Sequence, residues 1–200
     1  MGDRVKIVVA TGNQNKAREI REIFRDLDLD VVTMKEEGID SDPEENGATF
    51  AENALIKARA VHALTEYIVI ADDSGLIIDA LNGEPGVYSA RYLGYDTSYH
   101  VKNANLIERL SGVPEDRRSA RFACAIAAIL PDGTELVTEG TMEGIIGYEE
   151  KGENGFGYDP ILYLPQFQRY SAELTPDEKN AISHRGEALR KMYHELQRYL

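Results

Sequence analysis

Cysteine is almost missing from this 200-residue chain: Cys124 stands alone, which excludes an internal disulfide framework. Long apolar runs are missing too, and none approaches the ~20 residues that span a bilayer. The opening residues Met1 to Lys6 lack the extended apolar region of a signal peptide and run straight into a strand-like pattern. Basic residues are scarce: 22 Lys and Arg oppose 35 Asp and Glu, for a net charge of −13. A general nucleic-acid binder needs a basic face, so this balance argues against a polymer partner. It leaves room for a small phosphate site, where a few local cations oppose the global sign. Internal repeats, low-complexity tracts, paired Cys/His spacings and a strained serine elbow are all absent. The expectation is a soluble, reduced, cytoplasmic protein with neither a membrane nor a nucleic-acid polymer as partner.

What is present reads as α/β. Lys6 to Ala10 is a short apolar run of the kind buried on both faces in a parallel sheet. Turn residues Thr11-Gly12-Asn13 follow, then Ala17, Ile20, Ile23, Phe24 and Leu27 at helical spacing. A strand is expected at 31–34, a helix over 48–65, and a strand at 68–71 that ends in Asp72-Asp73-Ser74-Gly75, with 76–78 extended beyond it. Residues 82–96 carry loop signals, and 98–110 look helical. Two long strands, 121–130 and 135–146, are joined by Pro131-Asp132-Gly133-Thr134. Residues 150–170 read as loop, and one last helix starts at Thr175-Pro176 and runs to about Tyr199. With no linker, residues 1–200 form a single domain, with two lobes at most.

Six segments carry possible chemistry. Thr11, Gly12, Asn13, Gln14, Asn15 and Lys16 lie between a buried strand and a helix, where backbone N–H groups and a lysine suit an anion. An ordinary βα turn is the equal alternative; the segment is neither a Walker A loop nor a dinucleotide fingerprint. Asp72 and Asp73 follow an apolar strand, and ligands in open α/β sheets gather at strand ends. In extended chain the two acids point to opposite faces, so one of them serves a given ligand. Glu36 to Glu45 holds six carboxylates and no base. Most of these are expected to be solvated, with one or two joining the aspartates around a Mg²⁺, an ion that takes few carboxylates and keeps several waters. Lys57 interrupts an apolar helical stripe, either snorkelling or serving as a phosphate-binding cation. Gly155-Phe156-Gly157-Tyr158-Asp159-Pro160 suits either a ring laid on a flat ligand or aromatics plugging the core. Ser183, capping a helix that begins with His184 and Arg185, and Lys179 before it, offer donors to a carbonyl or phosphate.

In order along the chain, Ala10 to Lys16, Thr49 to Ala54 with Lys57 and Ala58, Ala71 to Leu76, Pro85 to Tyr92, Gly155 to Pro160 and Ala181 to Gly186 resemble the inosine triphosphate pyrophosphatase family. This is the family of XTP/dITP diphosphatases, here in its bacterial pattern. The resemblance implies an elongated mixed β-sheet with flanking helices, two lobes and a central active-site cleft. It implies hydrolysis of ITP, dITP and XTP to the monophosphate and pyrophosphate, with Mg²⁺, in a homodimer. On the same resemblance, Thr11 to Lys16 cradle the triphosphate, Asp73 is proton acceptor and metal ligand, and Glu44 is a further ligand. Ser74 and Lys179 contact substrate; Phe156, Gly157, Tyr158 and Asp159 hold the nucleoside, with Phe156 stacked on the base; His184 and Arg185 read the base. Whether Glu44 or Glu45 ligates better, and whether Asp72 assists, stays open at this level. So do a pyrophosphatase for modified pyrimidine or 7-methylguanosine triphosphates and a non-catalytic nucleotide-binding module.

Overall fold

The computed structural model describes residues 4–200; Met1 to Asp3, where the reading of the amino terminus begins, lie outside the described residues. The elements are β1 (Val5–Val9), α1 (Gln14–Phe24), β2 (Leu29–Thr33), α2 (Phe50–His62), β3 (Ile68–Ile78), α3 (Tyr99–Arg109), β4 (Ser119–Ile129), β5 (Glu135–Ile146), β6 (Leu162–Leu164), β7 (Arg169–Tyr170), α4 (Pro176–Ile182) and α5 (His184–Leu196). Seven strands make one mixed sheet in the order β2-β1-β3-β4-β5-β6-β7. β1 pairs in parallel with β2 and β3, whereas β5, β6 and β7 pair antiparallel. No helix among the described residues is long and apolar enough to cross a membrane.

The chain divides into two compact units, each discontinuous in sequence. The first comprises the described residues up to Asp73, with Cys124–Gly140 and His184–Leu200; the second comprises Ser74–Ala123 and Thr141–Ser183. In the first unit, strand alternation sends Ile68 and Ile70 of β3 to one face, packed with Ile20 and Phe24 of α1 and Leu189 and Met192 of α5. Val69 and Ala71 go to the other face, against Ala54, Ala58 and Val61 of α2. The Val, Leu, Ile, Phe and Met side chains among these each contribute about 1.5–3 kcal/mol when fully buried, the alanines less, and this holds α1, α2 and α5 against the strands. The second unit is built on Leu76, Ile78, Leu106, Phe122, Ile161 and Leu162. Within it Arg118 is 1% exposed and has carbonyls for acceptors: Nε donates to Ile146 O, Nη1 to Leu110 O and Nη2 to Gly147 O. A buried guanidinium is tolerable when its donors are satisfied, and here it ties the backbone at Leu110 and at Ile146-Gly147 to the residue that precedes β4.

Four local expectations need correction. β3 does not end at Asp72; it continues unbroken through Asp72-Asp73-Ser74-Gly75 to Ile78. Polar side chains do not break a strand whose backbone remains paired, and composition alone made these four look like a turn. The 150–170 stretch contains β6 and β7, too short to show a periodic pattern. The final helix is two: Ser183 adopts φ −71, ψ 156, an extended conformation that separates α4 from α5. The 82–96 loop also contains a 3-10 turn, Gly86–Arg91.

Candidate active site

In the first unit, the chemistry gathers where β1 stops. Val9 is opposite Ile70, so Asp72 and Asp73 stand just past the end of β1, beside the turn that enters α1. Asn13 caps α1: its side chain accepts from the amides of Asn15 at 3.0 Å and Lys16 at 3.2 Å, while Thr11 Oγ1 accepts from Asn13 N. Such a cap stabilises a helix by about 1 kcal/mol. A phosphate at this turn therefore competes with the Asn13 side chain for two of the donors. Gly12 and Gln14 are exposed, and Lys16 reaches from the first turn of α1 to Asp72 Oδ1 at 3.2 Å.

The two aspartates serve different faces, as strand geometry requires. Asp72 is fully buried, and its Oδ2 accepts from Arg185 Nε at 3.1 Å and Nη2 at 3.0 Å. The remaining arm of Arg185, Nη1, donates to Glu19 of α1, itself 4% exposed. Burial pushes the Asp72 carboxyl upward, but the charges of Lys16, Arg185 and Lys57 overcome it and hold the group well below the usual carboxylate range. The Cys124 thiol faces Asp72 Oδ2 at 3.9 Å. Burial, reinforced by that carboxylate, pushes the thiol far up, so Cys124 stays protonated and is no nucleophile.

Asp73 faces α2. Its Oδ2 accepts from Asn53 Nδ2 at 3.1 Å, and its Oδ1 lies 3.6 Å from Lys57 Nζ. Lys57 also pairs with Glu45 at 2.6 Å. Burial dominates at Asp73 and raises its carboxyl above the ordinary value despite Lys57 and Lys16. At Lys57 burial lowers the ammonium, yet the carboxylates of Asp72, Asp73 and Glu45 outweigh it and hold it raised. Of the acidic stretch, Glu45 is thus brought to this cluster, whereas Glu44 is exposed. Among the described residues no group of three or more His, Cys, Asp or Glu is arranged to hold a metal ion. A Mg²⁺ that keeps most of its waters and borrows phosphate oxygens does not need three; Asp73 with a glutamate of the 44–45 pair supplies a fitting set of hard oxygen donors.

His184 opens α5 and is 5% exposed. Gly140 of β5 lies so close that an added Cβ would run into the His184 carbonyl. Sequence reasoning missed Glu19 and Asn53 as members of this cluster, and left Glu45 open beside Glu44 as a metal ligand. Glu19 had the same signal that flagged Lys57, a charged residue on an apolar helical stripe. Asn53 lies inside the segment Thr49 to Ala54 already singled out.

The second unit holds a separate constellation around Asp159, which is 2% exposed. Its Oδ2 accepts from Phe156 N at 2.9 Å and from Lys179 Nζ at 2.7 Å, and its Oδ1 accepts from Ser171 Oγ at 2.6 Å. The Lys179 ammonium stands 5.0 Å from the centre of the Phe156 ring. Gly155 and Gly157 have φ of +70 and +66, left-handed values that give this loop its tight path. The two aromatics part company. Tyr158 is 5% exposed, belongs to the core and donates its hydroxyl to Ser89 O at 2.6 Å. Phe156 remains half-buried, and Ser74, at the start of this unit, is half-buried as well.

The family model of the Ham1 family matches residues 7–195. The dITP/XTP pyrophosphatase of Exiguobacterium sibiricum is 48% identical over 188 residues, 94% of this chain and 95% of that protein. The dITP/XTP pyrophosphatase of Clostridium perfringens is 45% identical over 94% of this chain and 95% of its own length. Among solved structures, a HAM1 protein from Coxiella burnetii superposes with a TM-score of 0.87 at 44% identity, covering 97% of this chain and 99% of that one. The Staphylococcus aureus Ham1 protein does so with a TM-score of 0.86 at 41% identity, covering 98% of this chain and all of the other. Matched across nearly its whole length in sequence and in fold, the chain belongs to the Ham1 family.

Proposed function

We propose that this protein hydrolyses ITP, dITP and XTP to the nucleoside monophosphate and pyrophosphate, clearing non-standard purines from the nucleotide pool. The observation that carries the reading is the buried Asp73 carboxylate, oriented by Asn53 and opposed by Lys57. Relatives named dITP/XTP pyrophosphatase, nearly half-identical over 94% of the chain, support the substrate class. The reading treats all 200 residues as one functional domain.

In this proposal Asp73 orients the attacking water toward the α-phosphorus and accepts its proton. Burial raises its carboxyl and makes it a better base than a solvated aspartate, while the charge of Lys57 opposes that rise. Lys16, Lys57 and the residues Thr11 to Asn15 hold the triphosphate oxygens where charge builds up as pyrophosphate leaves. Asp73 and Glu44, with Glu45 as the alternative glutamate, would hold Mg²⁺, which when bound would supply charge neutralisation to the phosphate oxygens. Asp72 takes no proton; its depressed carboxyl remains an anion that fixes Lys16 and Arg185. Ser74 and Lys179 contact substrate, and the loop Phe156 to Asp159 takes the nucleoside, with the Phe156 face stacked on the base.

His184 and Arg185 recognise the 6-oxo edge of the purine. Arg185 does so only by exchanging one of its carboxylate partners for the base oxygen. Adenine presents an amino group there, which leaves a donor unpaired and is disfavoured. The proposal further places the enzyme in the cytoplasm as a homodimer, in keeping with a single buried thiol.

The test is one assay. ITP, dITP, XTP, GTP, ATP and dUTP are incubated with and without Mg²⁺, and pyrophosphate and orthophosphate are measured separately. Pyrophosphate from the first three, only with Mg²⁺, is the expected result. Orthophosphate release, or tight ITP binding without turnover, would overturn it. Light scattering at several concentrations checks the dimer.

A further inference from the structure

We infer that Asn103 of α3 is a positioning residue for the nucleobase, acting through the backbone of the Gly155 to Asp159 loop. Its side-chain nitrogen donates to the Gly157 carbonyl at 3.3 Å and to Glu150 Oε1 at 2.8 Å. Both neighbours are acceptors only, so the amide has one workable orientation. Asn103 is 1% exposed, and its Oδ1 is buried with no hydrogen-bond partner. The two donor bonds are what the residue provides. Glu150 is anchored in turn by His100, one turn back on α3. Tyr99 completes the brace: its ring meets Tyr158 edge-on with centroids 5.1 Å apart, and a Cβ on Gly157 would touch that ring at 3.6 Å. The first turns of α3 therefore grip the loop at Gly157 and Tyr158, directly after Phe156 in the chain. Neither the motif reading nor the site chemistry gave α3 a part in the reaction.

This inference rests on the proposed assignment of the loop to the base, and the experiment separates the two. Asn103→Asp is nearly isosteric but faces Glu150 and the Gly157 carbonyl with a carboxylate. The KM for ITP and the inhibition constant for IMP should rise about tenfold, the equivalent of roughly 1.4 kcal/mol, with kcat within about twofold. The inhibition constant for pyrophosphate, which lacks a base, should not change. The double variant Asn103→Asp with Glu150→Gln removes the repulsion from Glu150 but not that from Gly157. Melting temperature should recover in it while the IMP defect persists. Phe156→Ala is the control for the parent reading. If it leaves IMP inhibition unchanged, the loop does not hold the base and the inference falls with that reading. If it weakens IMP but Asn103→Asp does not, the inference alone is overturned. Equal weakening of pyrophosphate and IMP by Asn103→Asp, or recovery of IMP binding together with melting temperature in the double variant, also overturns it.

Discussion

Asp72 and Asp73 are neighbours in one strand, yet they do opposite jobs. Asp72 points with Ile68 and Ile70 and is locked by Arg185 and Lys16, whereas Asp73 points with Val69 and Ala71 and meets Asn53 and Lys57. One is held ionised by surrounding cations; the other is raised by burial.

Substitution of each therefore separates structure from catalysis. Asp73→Asn should lower turnover of ITP by about 10²-fold or more, the usual contribution of a general base, with the urea unfolding midpoint little changed. Asp72→Asn should instead destabilise the fold by about 3–5 kcal/mol, the cost of breaking a buried ion pair from one side. Urea denaturation and pyrophosphate release on both variants check this pairing of effects.

Arg185 donates from all three guanidinium nitrogens to two buried carboxylates. Arg185→Lys keeps the charge but loses the planar fork, so Asp72 and Glu19 cannot both be satisfied. A loss of roughly 1.5–3 kcal/mol is expected, the range for hydrogen bonds to charged groups. A Glu19→Gln, Arg185→Lys double-mutant cycle should show strong coupling, because the two residues are in contact.

Gly140 is irreplaceable for packing reasons. A Cβ there would meet Ala188 N and Glu187 Cβ at 2.8 Å, besides the His184 carbonyl. These are backbone and near-backbone atoms of the first turn of α5. Gly140→Ala should cost about 1–3 kcal/mol by overpacking and should weaken ITP hydrolysis through displacement of His184 and Arg185. Thermal melting and steady-state kinetics test both halves.

Asp79 gives a pH dependence remote from the reaction. Hydrogen bonds from Arg121 and Ser119 hold its carboxyl below the ordinary value. With the folded pKa below the unfolded one, its contribution is present above about pH 4 and is lost as pH falls through the folded pKa. The stability gap between the native protein and Asp79→Asn should therefore be open at pH 6 and close by pH 2. The group is half-exposed, so the gap is small. Urea midpoints across that range measure it.

Much of this was legible in the chain itself. The β1–α1 unit, α2, the long β4 and β5 and the capped start of α4 follow from apolar periodicity and capping residues, which are local properties. Strand alternation alone said that Asp72 and Asp73 part to opposite faces. The ordered motifs pointed to the inosine triphosphate pyrophosphatase family through their resemblance, and the chain belongs to the Ham1 family. Other features depended on partners far along the chain. Nothing local says that β3 runs through four polar or small residues, because its pairing is set by neighbouring strands. Nothing local joins Glu19 to Arg185, Asn53 to Asp73 or Asn103 to Gly157, since those contacts exist only once helices and strands are packed. The sequence determined which residues are capable of chemistry; tertiary structure decided which carboxylate is pinned by cations and which is left available, because burial and charge proximity arise only in the folded chain.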